Sequence, residues 1–244
     1  MSLSSELCLS NLQRLVEYFE LEEILSEDGG PYLPLVSPMS PEPVGAMRIF
    51  SGAKVERAVY IGISVPAIGL DSHMLFAFAP SESALPHFTV DSVQAGPTYA
   101  FHLDLIPRVD LGTHLGWMDD VMMPLTPIWE EVQEWEGLTR AHIAPRQRAI
   151  MSPWMLVNRA TEEAFEKMSE PVGAYLELWL KLVENGVSES THTDMTASDL
   201  ARRDQENRAL IFSPEVDKVW AQIERLLGPS VPAEMRSVLR GEAL

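Results

Sequence analysis

From residue 46 to residue 106 the chain alternates short apolar segments with connections too short to hold a crossover helix. The segments are "AMRIFSG", "VERAVYIGISV", "HMLFAFA" and the pair "HFTVDSV" and "TYAFHLDLI", with Gln-Ala-Gly-Pro between the last two. Parallel neighbours need a crossover of a dozen or more residues, so strands spaced this closely must run antiparallel, as a meander. That constraint predicts a central antiparallel sheet over about 44–160.

Helical patterns stand on both sides of it. Leu12, Leu15, Val16, Phe19, Leu21 and Leu25 keep helical spacing, which predicts a helix over 6–28 that ends before Gly29-Gly30. The following "PYLPLVSPMSPEPVG" is read as a loop, since its prolines cannot sit in a helix or a central strand. Residues 117–136 read as helix interrupted by Pro124 and Pro127, and "RAIMSPWMLVNRA" as a further strand. Three C-terminal helices fill 161–228. The first breaks at Pro171, the second opens on a capping pair of Thr196 and Asp199, and the third runs from Ser213-Pro214 to Gly228. No linker splits the 244 residues, and 46% of them are hydrophobic, so one domain over 1–244 is expected.

Composition excludes several function classes. The chain has 36 acidic and 18 basic residues, a formal charge of −18 that repels nucleic acid and anionic membranes. Its one cysteine, Cys8, rules out an internal disulfide and a multi-cysteine metal site. The start of the sequence lacks the basic and apolar blocks of a secretory signal, and the longest apolar run is too short to span a bilayer. A cytoplasmic protein without a membrane span is expected. The six histidines show no HExxH spacing, and no nucleotide loop or nucleophile elbow is present, so metal and nucleotide binding are not predicted.

The strand period of two sorts the remaining polar residues. Tyr99, Phe101, Leu103 and Leu105 share one face, while His102 and Asp104 share the other. If the strands are neighbours, the mixed face is expected to collect His73, His87, Asp91, His102 and Asp104. A wet outer face explains such a set as simply as a pocket does, unless helices cover it.

Here a family pattern enters. "LPHFTVDSVQAGPTYAFHLDLIPR" resembles the central hairpin of the ferredoxin-dependent bilin reductase superfamily, with Phe88 and Asp91 in its first strand and Asp104 and Pro107 in its second. "FHLDLIPRVDL", "RAIMSPWMLVNRA" and "LARRDQENRALIFSPEVDKVWAQIERLLG" are similar, in order, to stretches of its red chlorophyll catabolite reductase branch. The resemblance spans roughly residues 55–228. It implies a three-layer α/β/α sandwich, an antiparallel sheet flanked by helices, with an open-chain tetrapyrrole between sheet and C-terminal helices. It implies electrons from reduced ferredoxin, no bound metal or flavin, and a monomer or homodimer.

The implied catalytic residues are Asp91 as proton donor, Asp204 on a helix closing the pocket, and His73 as the nearest histidine on the preceding strand. Arg108 and Arg203 are the candidates for the pigment's propionates; Asn207, His87 and Trp154 complete the substrate-binding set. Burial raises a carboxyl's pKa and keeps it protonated near neutrality, which suits a proton donor. "TRAHIAPRQR", with Arg140, Arg146 and Arg148, is the densest basic stretch and the expected landing site for an acidic ferredoxin. The rivals are a reductase of biliverdin or another bilin, and a carrier that binds the pigment without turning it over.

Overall fold

Five strands from Gly45 to Ile106 pair each with its sequence neighbour, and the rest of the molecule is arranged on the two faces they create. The computed structural model describes residues 1–195 and 198–243. Helix α1 (Leu3–Phe19) leads into two short strands, β1 (Glu22–Ile24) and β2 (Leu33–Leu35). The meander is β3 (Gly45–Ser51), β4 (Arg57–Val65), β5 (Leu70–Phe78), β6 (His87–Ala95) and β7 (Thr98–Ile106). Then come α2 (Leu115–Val121), α3 (Thr126–Gln133), β8 (Leu138–Arg140), α4 (Pro145–Arg148) and β9 (Leu156–Ala160). The chain ends in α5 (Glu162–Glu166), α6 (Ser169–Asn185), α7 (Glu189–Met195), α8 (Leu200–Ile211), α9 (Val219–Leu227) and α10 (Ser230–Leu239).

All pairings are antiparallel, in the order β1-β3-β4-β5-β6-β7-β9-β8, with β2 also on β3. The Gln-Ala-Gly-Pro break is a two-residue turn in which Gly96 takes φ +62 and Ala95 pairs with Thr98. Only glycine adopts that φ freely, and the turn's length fixes the hairpin register. One face packs Leu75, Phe88, Val90, Leu103 and their neighbours against α1, α2, α3 and α6. The other packs Ile49, Val59, Ile61 and Phe76 against α8, α9 and α10. The expected α/β/α layering is what the chain forms.

Several boundaries differ from the sequence reading, each for a local reason. The first helix stops at Phe19, not 28, because Glu20 adopts a left-handed φ of 51 and Leu21 N–H returns to the Val16 carbonyl. Within the proline-rich loop Leu33–Leu35 still forms a strand, at the sheet's margin and on β3 alone, where proline is tolerated. The break before α6 falls at Lys167–Met168. Pro171 sits in that helix's first turn, where its missing N–H costs nothing. Asp199 caps α8 by accepting from Arg202 N–H, while Thr196 lies outside the described residues. Ser213 opens a turn rather than α9, which starts at Val219, and α10 lies beyond the expected end at 228.

The central strands lie close together. A Cβ built on Gly45 would sit 1.8 Å from the Gly62 carbonyl oxygen, so β3 has to move off β4 to admit one. Gly45→Ala is expected to destabilise the fold by about 1–3 kcal/mol, read as a lower urea midpoint at unchanged m-value.

Candidate functional site

The register sets one row of side chains across the middle of the sheet: Ile61, Met74, Asp91, His102 and Val157, on the face covered by α8–α10. Asp91 Oδ2 lies 3.6 Å from His102 Nδ1, an ion-pair contact too long for a hydrogen bond. Asp91 Oδ1 and His102 Nε2 are buried and have no hydrogen-bond partner. Native proteins rarely leave such atoms unmatched, because each costs about 1–3 kcal/mol. Both residues line a cavity of about 180 Å³ closed by Phe76, Met151, Phe212 and Asp217.

Asp217 enters this cavity from the turn before α9, where it accepts the Val219 N–H at 2.9 Å. Burial pushes its carboxyl up, with Asp91's charge adding to the effect. Burial pushes His102 down, but the carboxylates of Asp91, Asp104 and Asp217 outweigh it, and the net shift is upward. Beside this cavity a larger groove of about 610 Å³ runs along the same face. Its lining includes Met74, the cross-strand partner of Asp91, with Val93, Ile63, Ile223, Leu226 and Arg225. Its volume falls in the range of sites that hold a cofactor-sized molecule.

Asp104 faces the same side, two residues beyond His102, and has a different environment. It is fully buried and accepts from Ser152 N–H at 2.9 Å and from the Ser152 hydroxyl. Burial raises its carboxyl and the Ser152 bonds oppose that rise. The effect is to pin the loop after α4, which supplies Met151 to the cavity wall.

The structure does not bring Asp204 to Asp91. Asp204 bonds His87 Nε2 at 2.7 Å and Arg108 Nη1 at 3.0 Å, with Arg208 Nη1 at 3.5 Å. His87 precedes Asp91 by four residues, roughly 13 Å along an extended strand. His87 Nδ1 accepts the Ala79 N–H, so in the neutral ring Nε2 carries the hydrogen and donates it to Asp204. Burial, then the Arg108 charge, drive His87 down to about 3 and keep it neutral. Burial alone raises Asp204, but the His87 bond and the two arginine charges pull it down to about 2. It is a buried, ionised clamp.

Arg108 is equally committed. It donates to the Leu85, Ser83 and Pro80 carbonyls as well as to Asp204, so its guanidinium is spent on holding the 80–85 loop. Arg203 is exposed and shares a surface groove with Asn207, whose Oδ1 is buried and unpartnered, away from the Asp91 row. Trp154 packs with the α2–α6 layer, donating to Thr126 Oγ1 at 2.9 Å. The face expected to collect His73 also needs correction. The pairing sets His73 opposite Ser92 and Met74 opposite Asp91, so His73 points to the α1 side, bonded to Tyr60 and Asp71. Among the described residues no group of three or more His, Cys, Asp or Glu is arranged to hold a metal, and no helix is long and apolar enough to cross a membrane.

His102 stood on the mixed face in the sequence reading without a role, and Asp217 was not singled out. Period two was enough to place His102 on the face of Asp104 but not opposite Asp91, which the register decides; Asp217 sits in a turn, where no periodic signal exists.

Among solved structures the chain is similar to phytochromobilin synthase from tomato, determined in complex with biliverdin. The match has a TM-score of 0.73 and covers 98% of this chain and 83% of that one, at 16% sequence identity. The two share a fold. No family model and no curated protein matches the sequence.

Asp204 and His87 together make the fold acid-sensitive. A carboxyl lowered to about 2 adds stability above its unfolded value of about 3.9 that is lost as pH falls through 2. A buried neutral histidine lowered to about 3 costs stability as pH drops below its unfolded value of about 6.5. Asp204→Asn is expected to lose about 3–5 kcal/mol at pH 7. It is also expected to show a shallower further loss between pH 4 and pH 2 than wild type, measured by urea unfolding across pH.

Proposed function

We propose that the protein reduces an open-chain tetrapyrrole in single-electron steps fed by reduced ferredoxin and coupled to protonation from Asp91. The observation that carries this is the Asp91 carboxylate. One of its oxygens is buried and unmatched, and it sits in a cavity beside a mostly apolar groove, on the sheet face that the C-terminal helices cover. A conjugated, planar, water-insoluble chain needs such a trough, with one acid at its reacting carbon. Arg225, on the groove's rim, supplies a cation for a propionate. The resemblance of the Asp91 hairpin to the bilin reductases supports the same reading, as does the shared fold with a protein that binds biliverdin.

In this reading Asp91 is the donor, whereas Asp204 and Arg108 hold the fold at the other end of β6 and His73 lies behind the sheet. The hairpin and C-terminal stretches are most similar to red chlorophyll catabolite reductase, which favours a pigment of that kind. The fold neighbour's biliverdin favours a bilin as the second substrate class. A carrier needs the groove but no acid, so Asp91 separates it from an enzyme.

The basic stretch has a place in the same scheme. His142, Ile143 and Gln147 line the Asp91 cavity, while Arg140, Arg146 and Arg148 are exposed on the same segment, Arg146 within ion-pair distance of Glu215. On a chain of charge −18 this is where an acidic electron donor meets least repulsion, close to the pigment.

Anaerobic assays with reduced ferredoxin and a panel of linear tetrapyrroles, followed by absorption spectra, test the function. Asp91→Asn is expected to retain pigment and lose turnover by roughly 10²–10⁴-fold. Unchanged turnover removes Asp91 from the mechanism, and no pigment bound or reduced by the wild type removes the function. The double variant Arg146→Glu with Arg148→Glu is expected to slow ferredoxin-driven turnover and flatten its dependence on salt.

A further inference from the structure

On the strand before Asp91, the position directly opposite it is Met74, whose thioether has no titratable proton. On the strand after, it is His102. His102 Nδ1 faces Asp91 Oδ2 at 3.6 Å. Its other nitrogen is buried and has no partner, as has one oxygen of Asp91, and both residues line one cavity. Two facing residues that line one cavity, each with an unmatched buried atom, form the least satisfied polar pair of this face. Contacts of this length in an empty site also commonly tighten when substrate binds.

The charged groups around the imidazole are uneven in sign. Asp91 faces it from β6, Asp104 from its own strand and Asp217 from the turn before α9; His142, on the segment before α4, also lines the cavity. Asp104 is held off by Ser152, and Asp217 by the Val219 N–H, so Asp91 is the carboxylate free to exchange a proton with His102. Burial disfavours the imidazolium, and the three carboxylates more than restore it.

We infer that His102 holds the proton that Asp91 delivers to the bound pigment, an assignment that rests on the reductase reading above. The one-electron donor, ferredoxin, first converts the pigment to its radical anion. Asp91 then protonates it: the carboxyl O–H bond breaks and a C–H bond forms on the pigment. The imidazolium N–H of His102 breaks as its proton re-forms the Asp91 carboxyl, and the neutral ring regains a proton from water. Two such rounds consume two electrons and two protons, which balances a two-electron reduction. His102 is in this scheme a positioning and proton-storing residue that acts through Asp91.

The test combines turnover and titration on the full chain. With reduced ferredoxin and biliverdin, wild-type turnover is expected to fall as pH rises through the His102 titration. His102→Gln is expected to turn over roughly 100-fold more slowly without that alkaline limb, while the absorption spectrum of bound biliverdin persists. In nuclear magnetic resonance spectra the His102 ring is expected to titrate above the ordinary value of about 6.5, and to drop in Asp91→Asn. An active wild type whose His102→Gln variant keeps both rate and pH profile overturns the inference alone. So does a His102 that titrates at or below the ordinary value in a folded, active protein. A wild type that neither binds nor reduces biliverdin or any other linear tetrapyrrole overturns the reductase reading, and this assignment with it.

Discussion

The register of β5, β6 and β7 is the constraint on which the rest of the molecule depends. Side chains alternate faces with a period of two, so a slip of one residue would turn Asp91 and His102 away from the C-terminal helices and under α1. The turn at Gly96-Pro97 holds the β6–β7 register, and the apolar sets on both faces penalise any other. Once that register is set, Met74, Asp91, His102 and Val157 must lie side by side, and whatever binds over the sheet must meet them.

Four aspartates on this side of the protein, two of them lining the cavity, carry different electrostatic environments. Asp104 is fully enclosed and matched by Ser152, which makes it a tether for the loop that closes the cavity. Asp204 is enclosed among two arginines and a neutral histidine, which makes it ionised and immobile. Asp217 is tied to the start of α9. Asp91 alone keeps a buried oxygen without a partner. A charge fully matched by fixed donors has little freedom to exchange protons, whereas an unmatched one at a cavity has a ligand's place open beside it. That contrast, more than proximity to any motif, separates the candidate acid from the structural ones.

Much of the architecture was legible from the sequence because it rests on local patterns. The meander follows from strand spacing and short connections; Pro124 falls in the gap between α2 and α3, whereas Pro127 sits in the first turn of α3, where a helix tolerates it. The errors also have local causes. Glu20 ends a helix without the glycine that usually marks such an end, and Pro171 sits where a helix tolerates it rather than where it breaks one. Among site residues the aspartates were visible as polar interruptions of apolar strands. Their partners were not, since Asp204 and Arg108 stand 96 positions apart and meet only across folded layers.

The sequence by itself determined which residues alternate on each strand, that the strands run antiparallel, and that the chain carries a large negative charge. Tertiary structure decided which strand residues stand opposite each other, and therefore that His102 rather than His73 neighbours Asp91. It also decided that Asp204 and Arg108 meet as a buried ion pair. Periodicity is a property of one segment and can be read from it. Register and charge pairing are properties of two segments brought together, and their energies do not exist until the chain has folded.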